Sequence, residues 1–230
     1  IMSKYNFSLL RKIKGNYNPD LIWSNGNISK DILIKSNKLS NIKIIKTGYL
    51  KKKKIKKFKK KINNNILVIP EGIYSECKKL FSFSLQCAKQ NKSLNFIWKL
   101  HPVIDKKVLS QYLNFNLSQL PKNIKISSES LKNESLKSSY VIYRGSAAVL
   151  DCIRYGCFPI FLKEKNKIYS DPLEKLSSNK ITIFQNNLNF KKTINNINLR
   201  KRKNLLKSYK LFYEKSYSDI DEKKILSSIK

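Results

Sequence analysis

From residue 65 onward the chain alternates short, wholly apolar runs with stretches of helical periodicity, and nothing else in it constrains the fold as strongly. "NILVIPEG" opens the series as a continuous apolar run, the pattern of a strand buried on both faces. "SECKKLFSFSLQCAKQN" follows, with Cys77, Leu80, Phe81, Ser84, Cys87 and Ala88 on one helical stripe. Strand-like "LNFIWKLHP", helix-like "DKKVLSQYL", strand-like "NIKISSES", the polar helix "SLKNESLKSS" and strand-like "YVIYRG" come next. "SAAVLDCIRYG" reads as a helix, with Val149, Leu150 and Ile153 inward and Gly156 as its C-terminal cap. "FPIFL" and "KITIFQN" add two further strands. Strands alternating with helices predict an α/β fold of Rossmann-like type, a doubly wound parallel sheet.

Ahead of this series, residues 17–50 read strand, helix, strand through "DLIWSNG", "ISKDILIKSNKL" and "IKIIKTG". One βαβ piece cannot close a core of its own. The expectation is therefore a partial N-terminal α/β piece over 1–50, and the start at Ile1-Met2 suggests a partial chain. Residues 51–61 carry nine lysines, which repel one another, and 51–64 is expected to be an inter-domain linker. An anion-binding arm is the alternative reading of this stretch. The regular series fills 65–188. Residues 189–230 are expected to be C-terminal helices, with Leu205, Leu206, Tyr209, Phe212 and Tyr213 forming a stripe opposite lysines.

The formal net charge of +33 raises the question of nucleic acid. Of 48 basic residues, only five are arginine. Proteins that read nucleic acid favour arginine, whose guanidinium forks onto phosphates and guanine edges. Lysine, asparagine and isoleucine together fit compositional drift in an AT-rich genome, so nucleic acid is not the expected main partner. The lysines still create a field that attracts phosphorylated substrates and anionic lipid, including an anionic inner-membrane surface. No apolar run approaches the roughly 18 residues of a membrane span, and the opening segment lacks the apolar h-region of a signal peptide. Cys77, Cys87, Cys152 and Cys157 lack metal-ligand spacing and are expected to be buried reduced thiols of a cytoplasmic protein. No metal and no cofactor are expected.

In an open parallel sheet, ligands sit at the carboxyl ends of the strands. Those ends carry Pro70-Glu71-Gly72, then His101-Pro102, then Ser127-Ser128-Glu129, then Arg144-Gly145-Ser146. Gly145, Ser146, Ala147 and Ala148 make a small-residue opening to a helix, where backbone N–H groups and a hydroxyl suit a phosphate. An ordinary serine N-cap accounts for the same residues. Gly72 with Tyr74 and Ser75 forms a similar loop, without the G-x-G-x-x-G of a dinucleotide fingerprint. Asp151 could accept from ribose hydroxyls, or be an exposed helix acid. His101 is the only histidine. Pro102 favours an extended backbone before it, which would hold the imidazole at the strand tip for phosphate contact or general acid–base work.

"WKLHP" (98–102) and "YRGSAAVLDCIRYGCFPIFL" (143–162) resemble the C-terminal, donor-binding domain of GT-B glycosyltransferases. The likeness is to bacterial surface-carbohydrate and capsule enzymes with an HP motif: sialyltransferases, Kdo transferases and CDP-glycerol glycerophosphotransferases. It covers about residues 65–185. It implies a nucleotide-sugar-dependent, metal-independent transferase with His101 as catalytic residue. Glu71, Gly72, Ser75, His101, Pro102, Arg144, Gly145, Ser146, Ala147 and Asp151 would bind nucleotide and phosphate. It further implies a CMP-, CDP- or UDP-linked sugar donor, a glycan or glycolipid acceptor, an acceptor-side domain continuing into 1–50, and work in the cytoplasm or peripherally at the inner-membrane face. The sequence departs from the sialyltransferase pattern in two places. "PEG" (70–72) holds one acid where those enzymes carry an acid-acid-glycine motif in the other domain, and the serine pair is absent at 145–146. The rival readings are a lysine-rich polyanion module without catalysis, an inactive scaffold-like relative, and another Rossmann-like enzyme such as a sugar epimerase.

Overall fold

The computed structural model describes residues 19–37, 42–49, 62–164, 171–179, 181–184, 190–195 and 199–229. The nine-lysine stretch lies outside them. In chain order the elements are β1 (Leu21–Ser24), α1 (Asn27–Asn37), β2 (Lys43–Lys46), β3 (Asn65–Ile69), α2 (Tyr74–Gln90), β4 (Asn95–Trp98), α3 (Lys106–Tyr112), β5 (Ile124–Ile126) and α4 (Leu131–Lys137). They continue with β6 (Tyr140–Tyr143), α5 (Val149–Arg154), β7 (Phe158–Lys163), β8 (Ile181–Phe184), α6 (Phe190–Asn195), α7 (Leu199–Ser216) and α8 (Glu222–Ile229). The chain divides into two compact units, one of Ile1–Ile55 with Lys210–Lys230 and one of Lys56–Tyr209.

The larger unit is a Rossmann-like α/β fold. Its six strands run parallel in the order β5-β4-β3-β6-β7-β8. The order reverses direction between β3 and β6, where the chain switches from one side of the sheet to the other. Central pairing sets Leu67 opposite both Ile97 and Val141. Ile66, Leu67, Val68, Val141, Ile142 and Ile160 are fully buried, which is why these strands read as unbroken apolar runs. Each such side chain contributes about 1.5–3 kcal/mol of burial. Helix α2 buries its expected stripe, and Phe83 and Leu85 besides. Phe81 stacks on Trp98 of β4 at 4.4 Å between ring centroids.

Local chemistry ends these elements where they must end. Asp105 caps α3, accepting from the backbone N–H of Lys107 and Val108 at 2.7 and 2.9 Å. Ser130 caps α4 through Asn133 N–H. After α5, Gly156 takes φ +84°. Its N–H bonds Ile153 O and that of Cys157 bonds Cys152 O, both at 3.0 Å, which completes a Schellman stop.

Three expectations shift. Strand β4 stops at Trp98, where its pairing with both β3 and β5 ends. His101 therefore stands past the strand, opening a turn closed by Ile104 N–H to His101 O at 2.9 Å. Helix α5 starts at Val149, not Ser146: Val149 N–H bonds Ser146 O and Leu150 N–H bonds Ala147 O across tight turns, and Ala148 is the N-cap. In the C-terminal stripe, Leu205, Tyr209, Phe212 and Tyr213 are buried but Leu206 lies on its exposed margin.

In the smaller unit, β1 and β2 pair in parallel with Trp23 opposite Ile45. The segment after α7 runs along them. Ser218 N–H bonds Asn25 O, Tyr49 N–H bonds Ser218 O, and Asp221 N–H bonds Thr47 O. Tyr49 stacks on Tyr217 at 4.6 Å. A side chain at Gly26 would meet the Ser216 carbonyl at 2.5 Å. Among the described residues no helix is long and apolar enough to cross a membrane.

Candidate functional site

The loop leaving β3 touches the loops leaving both neighbouring strands. A Cβ on Gly72 would sit 3.0 Å from His101 Nδ1 and 2.7 Å from Val103 Cγ2, so a larger residue there would have to push the β4 exit aside. His101 is half-buried there, and its Nδ1 faces Val103 N–H at 3.4 Å. On the other side, a Cβ on Gly145 would collide with the Glu71 carboxylate. Gly145 also has φ +76°, the left-handed region that other residues adopt at a cost. Two glycines thus let the β3 exit fit between His101 and the β6 exit, at the point where the sheet order reverses.

Arg144 lies beneath this loop, 3 % exposed. Its Nε donates to Glu76 of α2, Nη2 to Glu164 Oε2 at 2.7 Å, and Nη1 to Leu162 O at 3.2 Å. Lys79 bridges Glu76 and, at 3.3 Å, Glu164. The guanidinium expected at a phosphate is therefore committed to carboxylates, where it ties α2, β6 and the end of β7 together. Ser146 follows, 5 % exposed, with no hydrogen bond from its hydroxyl among the described residues. Ser75, Pro102, Ala147 and Asp151 are exposed. Asp151 has a side chain 51 % exposed, 3.7 Å from Arg154 Nη1.

Electrostatics separates the acids. Burial raises the pKa of Glu71, with the charge of Glu76 adding to it and Arg144 and Lys79 opposing. For Glu76, burial pushes upward too, but hydrogen bonds from Lys79 and Arg144 outweigh it and hold the carboxyl below its ordinary value. Burial pushes the Cys77 and Cys87 thiols up to about 12, and all four cysteines are buried outside any disulfide. That burial makes them packing residues.

The sequence reading missed Glu76, Lys79 and Glu164. The carboxyl-end rule, extended to the fifth strand of the series, reaches Glu164 directly after β7. Glu76 and Lys79 carried only the signal of an acid and a base one turn apart at the start of a helix.

No protein-family model and no curated protein matches the chain. Among solved structures, HepE from Anabaena in complex with UDP-glucose aligns with TM-score 0.60 at 10% identity, covering 99% of this chain and 68% of that one. A TarM variant from S. aureus, in complex with fondaparinux, alpha-GlcNAc-glycerol and UDP, aligns with TM-score 0.59 at 13% identity over 98% of this chain and 45% of that one. The calicheamicin glycosyltransferase CalG4 aligns with TM-score 0.52 at 11% identity, over 76% of this chain and 44% of that one. The structural neighbours include GT-B glycosyltransferases, and at these identities the likeness is one of fold. The chain spans less than half the length of the TarM and CalG4 chains.

Proposed function

We propose that the larger unit binds a nucleotide-activated sugar, and that the chain is a GT-B glycosyltransferase or the donor-binding part of one. The observation that carries this is the loop junction at the β3/β6 reversal, where Gly72 and Gly145 remove side-chain bulk beside His101 and Ser146. Such reversals are where open α/β sheets take their ligands. HepE with UDP-glucose and TarM with UDP favour a UDP donor over the CMP and CDP alternatives.

In this reading, the bond from the sugar's anomeric carbon to the phosphate oxygen breaks, and its electron pair stays on the phosphate. The acceptor hydroxyl oxygen forms the new bond to the anomeric carbon, and its proton passes to the departing phosphate. The His101 imidazole, the Ser146 hydroxyl and the backbone N–H groups around Gly145 stabilise the charge that develops on the departing phosphate, without a metal. Arg144 does not touch the donor here but fixes the β6 exit from below. Residues 65–188 carry the donor, 1–50 belong to an acceptor side, 51–64 link the two, and 189–230 supply C-terminal helices. The acceptor is a glycan or glycolipid of a bacterial surface polysaccharide, capsule or lipopolysaccharide. The net charge of +33 suits a cytoplasmic enzyme working against an anionic membrane face.

Calorimetric titration with UDP, CDP and CMP tests the reading. One nucleotide should bind preferentially, and His101→Ala and Ser146→Ala should each weaken it about tenfold, the worth of one good hydrogen bond to a charged group. Unchanged affinity in both variants overturns the assignment.

A further inference from the structure

A second concavity lies wholly within the smaller unit. It is a half-open hollow of about 480 Å³, within the size range of small-molecule sites. Strand β2 forms one wall along its whole length. The first turn of α1 and the last turns of α8 form the others. Lys30, Lys43, Lys46 and Lys224 line it, brought from three elements that span nearly two hundred residues of sequence.

Among the described residues none of these four ammonium groups has a carboxylate partner. The hydroxyls in the wall are already engaged. Ser227 Oγ donates to Lys224 O at 3.2 Å, and Ser228 Oγ donates to Ile225 O at 2.7 Å. The unsatisfied character of the cavity is therefore positive charge. Lys43 and Lys46 leave β2 on opposite faces, so with Lys30 and Lys224 they rim the concavity from several sides, and their summed field draws anions toward it. The only apolar lining comes from Ile44 and Ile45.

We propose that this cavity binds a phosphate-bearing ligand with at least two negative charges, at a site separate from the donor site of the larger unit. A phosphate group supplies the oxygens that several ammonium donors can share, and each charge-assisted contact is stronger than a neutral hydrogen bond. The ligand is either soluble or the headgroup of an anionic lipid. The proposal does not depend on the glycosyltransferase reading, because it uses none of the same residues.

Trp23 is a built-in reporter. Its Nε1 donates to Ser228 Oγ in the cavity wall at 3.1 Å, while Trp98, the other tryptophan, is fully buried in the larger unit. Inorganic pyrophosphate is titrated into the full chain while the two indole N–H resonances are followed, with Trp98→Phe assigning them. The Trp23 resonance should shift saturably. The pair Lys46→Gln with Lys224→Gln should weaken binding at least about tenfold. The charge-matched pair Lys89→Gln with Lys92→Gln, exposed lysines of the larger unit, should leave it within about twofold. In parallel, pelleting with phosphatidylglycerol vesicles against phosphatidylcholine vesicles identifies the source. Response to pyrophosphate supports a soluble ligand. Pelleting with the anionic vesicles alone, lost in the cavity pair, supports a headgroup. If neither probe engages Trp23 or the cavity lysines, or if both lysine pairs weaken binding equally, the site does not exist and the chain's positive charge acts only as a diffuse field.

Discussion

The β3/β6 junction of the larger unit and the cavity beside β2 are both built from ionisable side chains, and they handle charge in opposite ways. At the junction each cation is matched. Arg144 and Lys79 are held by Glu76 and Glu164, and the guanidinium is 3 % exposed. Beside β2 the lysines line a concavity and, among the described residues, meet no acid. Buried charge must be paired to be tolerated, so the first arrangement is rigid and specific. Exposed charge can remain unpaired because water solvates it, so the second is available to a ligand. A single net charge for the chain hides this division completely.

The contrast can be broken most severely at Arg144. Arg144→Met leaves Glu76 and Glu164 buried with only Lys79 between them, and should cost about 3–5 kcal/mol in chemical denaturation. Arg144→Lys should recover part of that loss without the two-pronged geometry. A loss below about 1 kcal/mol in Arg144→Met would mean the cluster opens to water and is no more rigid than the lysine cavity.

Two glycines then separate crowding from backbone strain. Gly145 and Gly156 share a left-handed backbone, φ +76° and +84°. An added Cβ at Gly145 meets the Glu71 carboxylate, whereas at Gly156 nothing lies within 4 Å. Gly156→Ala should cost about 1–2 kcal/mol, the strain alone. Gly145→Ala should cost more and also weaken nucleotide binding. Equal losses would show that Glu71 swings aside freely.

Glu76 gives the junction a pH signature. Its folded pKa lies below the ordinary carboxylate value, so the native state holds the proton less tightly than the unfolded chain. The stability it contributes is present at neutral pH and is lost as pH falls through the ordinary carboxylate range to the lower folded pKa. Glu76→Gln should flatten the decline in melting temperature between pH 5 and the acid limit, within about those bounds. Glu71, raised by burial, works in the other direction and favours the native state as it protonates. An unaltered acid slope in Glu76→Gln would assign acid unfolding to other carboxylates.

The smallest effect belongs to the cavity. Lys43→Gln with Lys46→Gln should change stability by no more than about 0.5 kcal/mol, since no contact is lost and some repulsion is relieved. A large loss would reveal hidden partners and erase the distinction between the two regions.

The fold was legible because burial on both faces forces continuous apolar runs, and β3, β6 and β7 display them without interruption. The contact between Gly72 and His101 lies at strand ends that the carboxyl-end rule singles out. The rest was hidden for a definite reason. Arg144 meets Glu76 from 68 positions away and Glu164 from 20, and no periodicity along the chain encodes such pairings. The position of His101 past the strand depended on where pairing with both neighbouring strands ends, which "LNFIWKLHP" does not disclose. The lysine cavity was masked by abundance: with 48 basic residues, the four that converge look like all the others.

Trp23 and Ser228 are hydrogen-bonded across 205 residues, and the smaller unit is assembled from the two ends of the sequence given. The larger unit is one contiguous stretch, Lys56–Tyr209. On a ribosome, β1 and β2 must wait through the synthesis of the whole larger unit before Tyr217 and α8 arrive to cover them. Closing so long a loop is slow. In refolding, the buried Trp98 should reach its native signal before Trp23 does, which pulse-labelled exchange of the two indole protons would resolve. If Trp23 matured first, the two ends would find each other without the larger unit between them. That order would make the lysine-lined concavity form only after the larger unit is in place, so ligand binding there would report that both halves of the smaller unit have met.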